Sequence, residues 1–227
     1  NILVGYGNTL FHIAVALPVS MFMTFSLGYV LSRPAFPGRK LLYIFVLITM
    51  LFSGGMVPTY MMVKWTGLIN TRWALILPSL IGTWNMFMMR NFFYAIPESL
   101  IESAELDGAN QWQILTRIVL PCSLASIATI LLFYAVGHWN SYFNALIYLT
   151  DRDRYPLQII LREILVANQV NFSEVQGIDP EQIAAQNSLA NQLKYALIIV
   201  SCGPILLAYP FVQKYFVKGV MIGSVKG

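Results

Sequence analysis

Hydrophobic positions run in long unbroken blocks along this chain, and the polar positions gather between them. Residues 9–31, 41–63, 73–89, 118–150 and 195–213 contain no Asp, Glu, Lys or Arg. A helix needs about 20 apolar residues to cross the hydrocarbon core of a bilayer, with a workable range of roughly 17–25. Four of the runs fit one crossing each. The run from 118 is long enough for a crossing plus an extra turn or two outside the hydrocarbon. No alternation of period two is present, which argues against a membrane β-barrel. The pattern predicts an all-α integral membrane protein, a single domain over residues 1–227 with five transmembrane helices at about 9–31, 41–63, 73–93, 118–149 and 194–216. Polar segments at 97–117 and 151–191 interrupt them.

Composition and charge add an orientation. The chain is 57% hydrophobic and 11% charged, far from the roughly one quarter charged residues of a soluble domain. Its net charge is +4, with the basic residues at the ends of the apolar runs, so nucleic acid is not an expected partner and the lipid bilayer is. The loop at 32–40 holds Arg33, Arg39 and Lys40 and no acid, whereas the loop at 64–72 has only Lys64 and Arg72, one at each edge. Basic residues favour the cytoplasmic side. This puts 32–40, 90–117 and the C-terminal tail inside and 151–194 outside. Asn1 then lies outside, and a sixth span ahead of it would bring the N-terminus inside. Cys122 and Cys202 have no CxxC spacing and no histidine partner, so both are expected to be buried structural thiols. His12 and His138 stand alone in apolar sequence and are expected to be hydrogen-bonded structural residues.

The segment at 97–117 stands out because three of the ten acidic residues fall between Glu102 and Asp107. Pro97 suits the first turn of a helix, where its missing N–H costs nothing. Glu98 complements the positive end of the helix dipole. Glu98, Glu102 and Glu105 share one face, and Leu100, Ile101 and Ala104 share another. Gly108 can take the left-handed conformation that stops the helix. Asn110 then caps a second helix, with Gln113 completing a capping box, and Trp112, Ile114, Leu115 and Ile118 are its apolar residues. Leu120 precedes Pro121 and is pushed away from the α region, so a bend is expected there. The prediction is helix, tight turn, helix outside the membrane. Physics alone leaves open whether this is a docking element or a solvated connection.

The spacing in this segment resembles the EAA motif of ABC-importer permeases. Glu102-Ser103-Ala104, then Gly108 after three residues, then Ile118-x-Leu120-Pro121 after nine, meets that pattern everywhere except at Ser103, which replaces the middle alanine. Asp107-Gly108-Ala109 fits its common D-G-A form. "AFPGRKLL" from Ala35, "WALILPS" from Trp73, "WNSYFNALIYL" from Trp139 and "YPFVQKYFVKGVMIGSVKG" from Tyr209 look like the carbohydrate branch of the family, in particular the permeases for complex oligosaccharides and alginate.

The resemblance implies a type I importer permease fold with six spans. It also implies that Glu98, Glu102, Ser103, Ala104, Glu105, Asp107, Gly108 and Ala109 form a cytoplasmic coupling helix seated on an ATPase subunit. The implied partners are a homologous second permease, two ATPase subunits and an extracytoplasmic solute-binding protein, in a bacterial inner membrane with the C-terminus cytoplasmic. ATP and Mg would be bound by the ATPase subunits. In this chain no cofactor or metal is expected, and no catalytic residue, in keeping with the lack of a G-x-x-x-x-G-K-[ST] loop. In similar permeases the tail reaches the ATPases, which points to Gly223, Lys226 and Gly227.

Two polar islands interrupt the apolar runs. "SGGMVPTY" from Ser53 places two glycines and Pro58 in mid-run, either a break facing a cavity or a packing kink. "GHWNSYFN" from Gly137 offers aromatic faces and amides of the kind that hold sugars. Tyr60, Trp139, Asn140, Tyr142 and Asn144 are therefore translocation-pathway residues in this reading. Interfacial anchoring is the alternative. The absence of charge within the runs disfavours an ion-coupled carrier. A channel or an ABC permease for another solute class stays open. In the outer segment, helical spacing at 157–166 and Pro180-Glu181 predict one or two short helices, and Asn171-Phe172-Ser173 matches a glycosylation acceptor that a bacterial setting would leave unused.

Overall fold

The computed structural model describes residues 2–167 and 180–223, with only the backbone course given for 180–187, 211–212 and 214–223. Twelve α-helices and no strand occur among the described residues. The acceptor site at Asn171 lies outside them.

Helix α1 (Ile2–Ser32) is the axle of the molecule. Asn8, His12, Ala16, Ser20, Thr24, Gly28 and Ser32 recur at every fourth position, and all are buried. Residues four apart stack along one helix face. Small residues on such a face let two backbones approach, the main packing device where lipid removes the hydrophobic drive between helices. The partners are α5 (Thr83–Tyr94) and α9 (Leu124–Trp139). At Gly28 an added Cβ would stand 3.4 Å from the Arg90 backbone nitrogen and 3.6 Å from Met89 Cβ.

The other apolar runs do not become straight spans. Run 41–63 divides into α2 (Arg39–Leu51) and α3 (Met56–Trp65), bent by 114°. The break falls at 52–55, where Gly55 takes φ +82°, and Pro58 sits harmlessly in the first turn of α3. Run 73–93 divides into α4 (Trp73–Ile76), a 3-10 turn at Leu77–Ser79 and α5, with Gly82 extended between them. The backbone N–H freed at Gly82 donates to the Tyr134 hydroxyl at 2.9 Å, and that hydroxyl also pairs with Thr24 Oγ1 at 2.8 Å. An interrupted helix inside a bilayer survives only when protein satisfies such groups. Two helices, α1 and the Ser188–Pro210 part of α12 (Pro180–Gly223), are long and apolar enough to cross a membrane, or up to four spans if each bent pair counts as one. Breaks at 52–55, 77–82 and Ser123 interrupt the other apolar runs, which are therefore built from short helices and not from single long ones.

The bend expected at Leu120 lies further on. Leu120 is helical (φ −63°, ψ −47°), and Pro121 sits inside the three-residue α8 (Leu120–Cys122). A widened π turn at Leu115–Val119 precedes it, loosening the backbone where the proline ring would otherwise press on the carbonyl four residues back. The chain turns by 85° at Ser123 and continues as α9, then α10 (Tyr142–Tyr148). In the polar segment 151–191, α11 (Leu157–Ala167) forms where the spacing predicts it. The helix beginning at Pro180 is not a separate short element but the start of α12.

Both ends of α1 are tied down by distant residues. At its start, the Asn8 amide donates to the carbonyls of Asp153 (2.7 Å) and Tyr155 (3.1 Å), and Thr9 Oγ1 accepts from the Leu157 N–H at 2.9 Å. At its other end, Tyr29 joins Met89, Phe93, Ile101, Ala104, Ile114 and Ile130 in one apolar core. Two expectations need correction. Cys122 and Cys202 are exposed on the isolated chain, because they lie on helix faces turned away from the core. His12 is buried, yet neither ring nitrogen has a hydrogen-bond partner among the described residues.

Candidate functional site

The acidic segment folds as a compact helix–turn–helix beneath the far end of α1. Helix α6 (Glu98–Leu106) begins directly after Pro97, which stands as its cap at ψ 130° and not inside the first turn. Gly108 takes φ +81°. The Ala109 N–H reaches back to the Ala104 carbonyl at 2.9 Å and the Gly108 N–H to that of Glu105 at 3.0 Å. These two bonds define a Schellman motif, which needs a left-handed residue at this position. Asn110 opens α7 (Gln111–Ile114) with a complete capping box. Its side chain accepts from the Gln113 N–H, and the Gln113 side chain accepts from the Asn110 N–H, each at 2.9 Å.

Burial sorts the segment into two sides. Ile101, Ala104, Ile114 and Leu115 are buried in the core shared with α1, α5 and α9. Leu100, expected beside Ile101 and Ala104, is exposed, as is Trp112. The outermost apolar side chain is Leu106, 89% exposed at the last turn of α6. Ser103, Asp107 and Gly108 are exposed near it. A leucine held so far into solvent on a rigid turn has nothing to pack against among the described residues. It went unremarked in the sequence, where it is one apolar residue among acids.

Glu98, Glu102 and Glu105 share one face as expected, and that face looks into a recess of about 520 Å³. Its opposite wall is the C-terminal end of α1 and the following loop, with Tyr29, Arg33 and Phe36. A hydrogen-bond chain crosses the recess. The Tyr29 hydroxyl donates to Gln111 Oε1 at 2.6 Å, and Gln111 Nε2 donates to Glu105 Oε1 at 2.8 Å. The Arg33 guanidinium lies 4.8 Å from the Tyr29 ring centroid. The sequence marks Arg33 only as a basic loop residue and does not mark Tyr29 or Gln111.

The pathway residues separate. Asn140 and Asn144 line one cavity of about 330 Å³, joined there by Asn85, Ser141, Phe133 and Phe143. The side-chain amides of Asn85, Asn140 and Asn144 have no partner among the described residues. Trp139 does not line this cavity. It is buried, packs against Tyr6 and donates its indole N–H to the Ser201 carbonyl at 3.0 Å. Tyr142 lies under the Arg162 guanidinium at 4.5 Å, and Tyr60 stacks on Tyr148 with centroids 6.4 Å apart. Of the tail residues, Gly223 ends α12, and Lys226 and Gly227 lie outside the described residues.

A bundle of interrupted apolar helices with a rigid helix–turn–helix at one end is the architecture of an importer permease. The chain belongs to the binding-protein-dependent transport system inner membrane component family, whose pattern matches residues 7–222. It is similar to the polygalacturonan/rhamnogalacturonan transport system permease protein YtcP of Bacillus subtilis (strain 168), with 46% identity over 219 residues covering 96% of this chain and 75% of the relative. A solved bacterial ABC transporter involved in the import of the acidic polysaccharide alginate contains a chain that superposes with a TM-score of 0.81 at 30% identity, covering 95% of this chain and 75% of that one. A bacterial alginate ABC transporter in complex with an alginate pentasaccharide-bound periplasmic protein shares the fold at a TM-score of 0.50 and 20% identity, covering 94% of this chain and 79% of that one. The chain is thus a membrane-embedded transport subunit of an ABC importer.

Proposed function

We propose that this subunit moves an oligosaccharide across the inner membrane by alternating access, driven by ATPase subunits that dock on α6 and the Gly108 turn. The observation that carries the docking reading is Leu106, exposed on a turn held by a left-handed glycine and a capping box. Apolar anchors surrounded by charges that set orientation are what a specific protein contact uses. Glu98, Glu102, Ser103, Ala104, Glu105, Asp107, Gly108 and Ala109 belong to this element, with Ala104 as its inward packing residue. The assembly includes a second permease, two ATPases holding ATP and Mg, and an extracytoplasmic binding protein. The coupling segment and the C-terminus, including Gly223, Lys226 and Gly227, face the cytoplasm.

Carbohydrate as solute is supported by the relatives and by the cavity of Asn85, Asn140 and Asn144. Unpaired amides facing lipid would each cost several kcal/mol, on the order of 2–7. This cavity therefore faces water or polar protein, and amides beside phenyl rings complement a hydroxyl-rich solute. Trp139, Tyr142 and Tyr60 do not line this cavity and belong in this reading to other points of the pathway. The test is uptake by the reconstituted importer of labelled oligogalacturonate against a panel of neutral oligosaccharides, amino acids and peptides. Uptake of a saccharide that depends on ATP, and that Gly108→Val lowers at least tenfold, is expected. ATP-driven uptake confined to amino acids or peptides would contradict the carbohydrate assignment.

A further inference from the structure

We propose that Tyr29 and Gln111 form a strut that carries movement of the docked α6 into α1. The proposal rests on the reading above that α6 receives an ATPase. Helix α6 continues directly from α5 through residues 95–97, and α7 leads into α9 through the π turn and the bend at Ser123. Helix α1 has no such covalent route, although its buried face packs along both α5 and α9. Force from the turn therefore reaches α1 only through non-covalent contacts, and the one nearest the turn is that at the end of α1 beside α6 and α7.

That contact has an apolar part and a directional part. Tyr29, Ile101, Ala104 and Ile114 share one core, but apolar surfaces can slide past one another because their attraction has no direction. The Gln111 amide removes that freedom. Its oxygen accepts from Tyr29 on α1 at 2.6 Å, and its nitrogen donates to Glu105 on α6 at 2.8 Å. Gln111 is itself the first residue of α7. One amide thus joins three elements, at distances and angles that hydrogen bonding holds within narrow limits. The Arg33 guanidinium over the Tyr29 ring restrains the ring as well. Tyr29 and Gln111 are positioning residues: they set how far α1 follows the turn and do not themselves touch solute or nucleotide.

The test uses the assembled importer in proteoliposomes, with labelled oligogalacturonate as the transported probe and Tyr29→Phe, Gln111→Leu and the double variant compared with wild type. Both substitutions keep bulk and remove the hydrogen bonds. Complex yield and basal ATP hydrolysis should match wild type. Uptake per ATP hydrolysed should fall about three- to tenfold, the factor one lost hydrogen bond makes in an equilibrium. The double variant should be no worse than either single one, because both break the same chain. Unchanged uptake per ATP in the single variants, effects that multiply in the double variant, or losses that merely follow a drop in complex yield would each overturn the strut. Gly108→Val serves as the reference arm. If it uncouples transport while the strut variants do not, the strut alone fails. If it too leaves transport intact, the docking reading fails.

Discussion

Tyr134 shows how a single side chain makes an irregular membrane helix tenable. Its hydroxyl accepts from the Gly82 N–H and pairs with Thr24 Oγ1, so three elements meet at one oxygen. Gly82 itself has little room, since an added Cβ would stand 3.2 Å from Asn85 Nδ2 and 3.4 Å from that hydroxyl. Tyr134→Phe leaves the ring in place and strands the half-buried Gly82 N–H and the buried Thr24 hydroxyl, a loss of about 1–3 kcal/mol. Thermal unfolding of the detergent-solubilised chain should show a lower Tm for Tyr134→Phe, and an unchanged Tm would mean that the bond contributes nothing. Gly108 acts by conformation and not by space: nothing lies within 4 Å of an added Cβ, but its φ of +81° resists a β-branched residue. A valine there gives up roughly 1–2 kcal/mol or leaves the turn. The uptake loss expected for Gly108→Val is thus a consequence of a displaced turn and not of a clash.

At the scale of elements, α6 and α7 behave as one rigid body because their junction is satisfied on both sides. The Schellman bonds close the end of α6, and the capping box opens α7. Asn110→Ala removes the cap acceptor and should weaken α7 by about 0.5–2 kcal/mol. Limited proteolysis should then cut the 107–115 region faster than in wild type, and equal cutting rates would show that the junction does not depend on the box. These features were legible in the sequence because they are local: a glycine after a helix, and Asn followed three residues on by Gln. The interruptions of the apolar runs were less legible. Residues 80–82 remain apolar enough to read as span, and what permits the break is a phenol 52 positions away. The helical state of Leu120 has a similar cause. The rule for a residue before proline is a local preference, and the π turn at Leu115–Val119 overrides it. The every-fourth-residue stripe of α1 was written plainly in the sequence, but small and polar residues give no signal to a reading built on charge-free stretches.

For the whole molecule, the sequence carried the family through one spaced motif, and the structure adds why the spacing matters. Glu102, Gly108 and Pro121 lie respectively on α6, at the turn and just before the 85° bend that redirects the chain into α9. The residues read from sequence as pathway candidates divide between two environments. Asn140 and Asn144 reach a common cavity, whereas Trp139 points into the core, because residue order along "GHWNSYFN" does not reveal the break after Trp139 that turns α10 away. A division of labour also follows. Without a phosphate loop in its sequence, the purified lone chain should bind no ATP above background in equilibrium dialysis, and saturable binding by it would contradict the account.

The central claim is that the Gly108 turn docks an ATPase, and Leu106 offers the most direct measurement of it. With the two exposed native thiols removed as Cys122→Ser and Cys202→Ser, Leu106→Cys in the assembled importer should form a short-linker cross-link to an ATPase subunit. Val166→Cys, exposed on α11, which the proposed orientation puts on the outer side, should give none. A cross-link from Val166→Cys and none from Leu106→Cys would contradict both the docking surface and the orientation.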